Sequence, residues 1–165
     1  MSHPSQLSLE ALLADCTTQR TRGSGPGGQH RNKVETAIVI THTPTGIRGE
    51  ASERRSQEQN RAMAIFRLRL KLAVEVRHTA NESPSTLWQS RCRAGKVSVN
   101  DQHNDYPALL AEALDQLVEF AWQPSDAADR LGVSSSQLIK LCKQHPPAFR
   151  LVNQQREALG LKTLS

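Results

Sequence analysis

The chain has 165 residues, 37% of them apolar, and a formal net charge of +5. That length holds one domain of ordinary size or two small ones, and that apolar share excludes a single large core. No apolar run approaches the roughly 18 residues a membrane span requires, and three scattered cysteines with no CxxC pair argue against a disulfide framework or a zinc knuckle.

The charge is unevenly spread. Residues 1–96 carry 15 Lys+Arg against 8 Asp+Glu, whereas residues 97–165 carry 6 against 8. A basic half points to a polyanionic partner, with nucleic acid the first candidate. The histidines form no HExxH, and no metal or other cofactor is expected. The first 19 residues contain Glu10 and Asp15 but no Arg or Lys, which fits neither a secretory signal nor a transit peptide. A cytoplasmic protein with no membrane partner is expected.

Residues 9–14 read as a short helix with Ser8 as its N-cap. Residues 16–22 alternate weakly and suit a short strand. Residues 36–42 are rich in β-branched side chains and read as a strand, the turn residues 44–46 follow, and residues 47–52 supply the antiparallel partner. Ser56 and Gln59 form a capping-box pattern. Behind it Ala62, Ile65, Leu68, Leu72 and Val76 recur at helical spacing and define the expected apolar stripe, with Arg61, Arg67, Arg69 and Lys71 mostly off it. The order is that of an α+β domain, a short sheet packed by a long helix, over residues 1–77.

Residues 78–104 read as a basic linker, within which residues 97–99 offer a scrap of strand. Trp88 in this stretch suits a packing anchor better than a base-stacking platform. Residues 105–165 read as a small all-helical module. Pro107 opens a helix whose apolar face is Leu109, Leu110, Ala113, Leu114, Leu117, Val118 and Ala121. Gly132 then sits between two helical segments, with Ser134 and Gln137 as a second capping box, in a helix-turn-helix-like pattern. This module is net acidic and reads as a structural or protein-contacting element more readily than as a DNA reader.

The most unusual stretch lies between the first two strands. Gly23, Gly25, Gly27 and Gly28 surround Pro26, and a polar run of Gln29, His30, Arg31, Asn32 and Lys33 follows. Gly23, Gly25 and Gly28 match the dinucleotide fingerprint on paper, but no apolar strand precedes them and no apolar helix follows. A plain flexible loop is the bland alternative. Glycines directly before Gln29 let the backbone come close to a ligand, and a main-chain N–H held against a reacting carbonyl is an oxyanion-type donor. Arg20, Arg22, Arg31 and Lys33 frame the segment and suit phosphates.

Gly27, Gly28 and Gln29 resemble the GGQ tripeptide of the class I peptide chain release factors. The resemblance runs from Arg20 through the glycines, Gln29, His30 and Asn32, across the strand at residues 37–42 and the turn at 44–46. It continues through Arg54, Arg55, Ser56, Gln57, Asn60 and Arg61 into the long helix. It implies an enzyme whose GGQ loop enters the peptidyl-transferase centre of the large ribosomal subunit and promotes hydrolysis of the peptidyl-tRNA ester in the P site. The implied catalytic residues are Gly27, Gly28 and Gln29. The Gln29 main-chain N–H stabilises the oxyanion or leaving hydroxyl, and its side chain gates the nucleophile. No acid–base pair accompanies the motif, so ribosomal RNA and tRNA supply the rest; His30 reads as structural or RNA-contacting rather than as a base.

The RNA-binding candidates are Arg20, Arg22, His30, Arg31, Asn32, Lys33, Arg91, Arg93 and Lys96. No codon-reading tripeptide is found, and the chain looks like the short, codon-independent members that rescue stalled ribosomes. Unlike some of those, it has no long basic tail: residues 151–165 hold Arg156 and Lys162 against Glu157. Arg31 stands where many members have a small apolar residue. The expected partner is the ribosome, through large-subunit rRNA and the P-site peptidyl-tRNA, and a monomer is expected. A non-catalytic ribosome- or RNA-binding factor, and a helix-turn-helix DNA-binding protein, are the alternatives.

Overall fold

The computed structural model describes residues 1–22 and 36–165. The chain divides into two compact units, Ser2–Leu72 and Ala73–Ser165, the latter joined by Met1. The architecture is α+β: antiparallel sheets and, among the described residues, seven α-helices, the last four forming a helical module.

In the first unit a 3-10 turn, Pro4–Gln6, precedes α1, Leu9–Ala14. Ser8 caps α1 as expected: its Oγ accepts from the Ala11 N–H at 3.2 Å. Leu12 is fully buried beneath it. Strands β1, Cys16–Thr21, β2, Ala37–His42, and β3, Arg48–Ala51, form an antiparallel sheet in the order β1-β2-β3. The expected turn joins β2 to β3, with Gly46 at φ +72, a conformation that suits a residue without a Cβ. β2 is central and almost wholly buried, which is why its sequence is a β-branched run rather than an alternation. β1 is exposed along most of its length, in keeping with its Thr, Gln and Arg composition.

Helix α2, Gln57–Glu75, packs on this sheet. Its start is as expected, Ser56 Oγ accepting from the Gln59 N–H at 3.3 Å. Its buried face keeps Leu68 and Leu72 of the expected stripe but is otherwise rotated away from it. Asn60, Ala64, Leu68 and Leu72 are fully buried, while Ala62 is exposed and Ile65 half-buried. The cause is Gly49 in β3. A Cβ built there would sit 2.1 Å from the Ala64 carbonyl oxygen and 2.5 Å from the Leu68 nitrogen, so helix backbone rests directly on strand backbone. Close approach selects the side of the helix bearing Ala64. Fully burying Leu68 or Leu72 contributes about 1.5–3 kcal/mol each.

Residues 78–104, read as a linker, hold α3, Thr86–Arg91, and a hairpin of β4, Cys92–Arg93, and β5, Lys96–Val97. They are fastened by polar side chains of α4, Tyr106–Glu119, that are themselves buried. Glu112 accepts from the Ser85 N–H at 2.7 Å and its Oγ at 2.6 Å, Asp115 accepts from the His78 N–H at 3.1 Å, and Gln116 donates to the Asn81 carbonyl at 2.7 Å. Trp88 is fully buried and its indole N–H donates to the Leu131 carbonyl at 2.9 Å, so the packing reading of this residue holds.

α4 is the core of the second unit, with Leu109, Leu110, Ala113 and Leu114 fully buried. The expected face ends early: Val118 is 40% exposed, and Ala121 lies past the helix end with φ 50, followed by Trp122 with φ 61. Then come α5, Pro124–Leu131, and α6, Ser135–Lys143, joined by Gly132 at φ 69. Ser134 Oγ accepts from the Gln137 N–H at 3.2 Å, as the second capping box predicts. Pro146 opens α7, Pro146–Ala158. The last residues fold back on α7: the Asn153 side chain exchanges two hydrogen bonds with the Leu164 backbone, and Arg156 donates to the carbonyls of Lys162 and Trp122.

Candidate functional site

The chain leaves the sheet at Thr21 and re-enters it at Ala37, and these two residues are direct cross-strand partners. The two roots of the segment 23–35 are therefore held side by side by the β1–β2 ladder. The predicted catalytic residues Gly27, Gly28 and Gln29, and the predicted RNA contacts His30, Arg31, Asn32 and Lys33, lie outside the described residues. Arg20 and Arg22 are placed: both are exposed, one in β1 and one directly after it.

Beside the first root is a cleft of about 320 Å³, lined in part by Thr21, Arg22, Val39, Glu50, Ser52 and Arg67. Arg67 makes two contacts there: one end of its guanidinium donates to the Glu50 carbonyl at 2.9 Å and the other meets the Glu53 carboxylate at 2.5 Å. That hydrogen bond pulls the Glu53 carboxyl down to about 2, although the side chain is half-exposed. The shift reports geometry at the carboxylate, while solvent screening keeps the energy of an exposed pair below about 1 kcal/mol.

The second root is held by Asn60, a residue within the stretch of sequence resemblance whose role the sequence alone does not disclose. Fully buried near the start of α2, its side-chain amide donates to the Thr36 carbonyl at 2.7 Å and to the Arg54 carbonyl at 2.9 Å. Its oxygen accepts from the Arg54 N–H at 3.0 Å. Three of its hydrogen bonds thus tie the residue before β2 to the connection entering α2. The available signal was a polar residue placed four before Ala64 and eight before Leu68, in line with the buried stripe.

The predicted basic cluster near residue 93 separates into two kinds of residue. Arg91 donates to the Asp105 carboxylate at 2.5 Å and contacts the His103 ring at 3.0 Å, so its charge is matched internally. Arg93 and Lys96 are exposed on the hairpin. All three thiols are pushed toward the protonated form. Burial pushes Cys16 and Cys92 above the ordinary thiol range, and Cys142, wholly buried, up to about 12. No helix among the described residues is long and apolar enough to cross a membrane.

The model of the RF-1 domain family matches residues 6–108. The match covers more than half of the chain and includes both roots and the whole segment between them. The chain therefore belongs to the RF-1 domain family of GGQ-containing class I release factors, whose members act on the ribosome and in general carry peptidyl-tRNA hydrolysis. The match extends through α3 and the hairpin into the start of α4, beyond the reach of the sequence resemblance; residues 109–165 lie outside it.

Proposed function

We propose that this protein hydrolyses the peptidyl-tRNA ester in the peptidyl-transferase centre without reading a codon, releasing nascent chains from stalled ribosomes. The observation that carries this reading is the family match across residues 6–108, with Gly27, Gly28 and Gln29 set between two strand ends that are cross-strand partners. In this reading residues 1–77 are the catalytic domain. Gly27 and Gly28 give the backbone its path, the Gln29 main-chain N–H stabilises charge on the reacting ester, and the Gln29 side chain selects water. One such donor accounts for about 3–4 kcal/mol of barrier; ribosomal RNA and tRNA complete the site. Arg20, Arg22, His30, Arg31, Asn32 and Lys33 contact RNA around the segment, and Arg93 and Lys96 contact it farther along the chain, with Arg91 steadying the hairpin's base. Codon independence is the part of this reading carried over from the sequence resemblance to the short, codon-independent members. The protein acts as a cytoplasmic monomer without a cofactor.

The test is release of a labelled peptide from ribosomes stalled on a truncated mRNA, beside intact-mRNA complexes and the Gln29→Ala variant. Release by the wild type on truncated complexes and its loss in Gln29→Ala are expected. Stable ribosome binding with no release sinks the hydrolase reading and leaves a non-catalytic ribosome-binding factor.

A further inference from the structure

Arg93 and Lys96 are directly opposed across the β4–β5 ladder, flanking a two-residue turn at Ala94, φ 49, and Gly95, φ 75. Like charges facing each other across an antiparallel pair repel, and Ala94 holds a left-handed backbone that L-residues avoid. Neither cation has an ion-pair partner among the described residues.

The hairpin turn adjoins α6, because the Gly95 carbonyl accepts from the Ser134 N–H at 3.3 Å. On α6 the exposed residues Ser136, Lys140 and Lys143 fall at spacings of four and three, one face of the helix, opposite the buried Leu138, Leu141 and Cys142. Lys143 is braced over the Phe149 ring, 5.3 Å from its centroid. Neither residues 92–97 nor residues 134–143 contain a single Asp or Glu. Four exposed cations thus lie on two neighbouring elements whose own sequences carry no carboxylate.

We infer that the β4–β5 hairpin and the exposed face of α6 form a docking surface for the backbone phosphates of an RNA duplex. Charge selects a polyanion. A single strand would call for several exposed aromatic platforms; both tryptophans are buried, and Phe149, only partly exposed, already lies under Lys143. Duplex RNA is recognised mainly through shape and backbone, which suits a helix face beside a basic hairpin. The inference rests on the proposed ribosomal function for the source of the duplex, ribosomal RNA; α6 lies wholly outside the family match.

The experiment measures binding of the full chain to a labelled short RNA duplex over a rising series of KCl concentrations. It is repeated with Arg93→Ala/Lys96→Ala and with Lys140→Ala/Lys143→Ala. The wild type is expected to bind with a steep salt dependence, and each removed cation to lower the log–log slope by about one. The hairpin variant relieves a repulsion, so its melting temperature is expected at or above the wild-type value, which separates lost binding from lost fold. Failure of the wild type to bind the duplex, tighter binding of the single strand, or wild-type slopes in both variants overturns the inference. Because Gln29 takes no part in this assay, duplex binding together with failed peptide release sinks the hydrolase reading alone.

Discussion

The side-chain amide of Asn60 donates to the main-chain carbonyl of Thr36 across 24 residues of sequence, at 2.7 Å and out of solvent. Thr36 is the last residue before β2, so a helix residue fixes the point at which the chain returns to the sheet. Asn60→Leu leaves the Thr36 carbonyl buried without a donor, and the expected cost is about 2–3 kcal/mol in urea denaturation. Asn60→Asp is expected to be at least as damaging, since an acceptor-only carboxylate would then face two carbonyls. Wild-type stability in both variants would show that the contact does not hold this root.

Gly49→Ala tests the contact that chooses the buried face of α2. The added methyl would meet helix backbone rather than a side-chain end, so the helix has to move as a body. A loss of about 3 kcal/mol is expected, read as a lower urea midpoint. An unchanged midpoint would mean the helix has room to lift.

Two alanines in left-handed backbone offer the opposite sign. Ala94 and Ala121 have φ 49 and 50, and both are exposed. Replacing either with Gly is expected to raise stability by about 0.5–1 kcal/mol, by relieving the Cβ clash. Gly132→Ala, at φ 69 with open space around it, is expected to lower stability by a similar amount. Thermal melts of the three single variants decide the matter; a drop for Ala94→Gly or Ala121→Gly contradicts it.

Glu53 gives a pH signature. Its folded pKa is depressed by the Arg67 hydrogen bond to about 2 from 4.5. The contribution is therefore present above the unfolded value and is lost as pH falls from 4.5 through about 2. A carboxyl titration followed by NMR should place the Glu53 midpoint near the lower value. Arg67→Ala should move the Glu53 midpoint upward, at a stability cost below about 1 kcal/mol. An unmoved midpoint would assign the depression to another cause.

Local signals carried much of the fold. Ser8, Ser56 and Ser134 cap the helices they precede, and the β-branched run at 37–42 is the buried central strand, because each of these depends on neighbours within a few residues. The face of α2 was legible at Leu68 and Leu72 but not at Ala62 and Ile65, because its choice also depends on Gly49, eleven residues before Asn60 and on another element. Residues 78–104 resisted reading for a similar reason. What orders them are Glu112, Asp115 and Gln116, side chains whose polarity suggests solvent but which are buried in hydrogen bonds to a distant backbone. Around the candidate site, the bare glycines and the basic frame were legible as composition. Asn60 was visible only as a letter, since its partners, Thr36 and Arg54, are set by tertiary structure.

The two margins of the three-stranded sheet are finished differently. Along β3 the carbonyls of Arg48 and Glu50 accept from Lys71 and Arg67, both at 2.9 Å, so side-chain cations occupy the acceptors another strand would need. Along β1, β2 is the only strand neighbour among the described residues. A sheet that can add strands on one side only has no means of propagating: two copies meeting at β1 would exhaust both available margins. Edge-to-edge growth through this sheet would thereby stop at pairs.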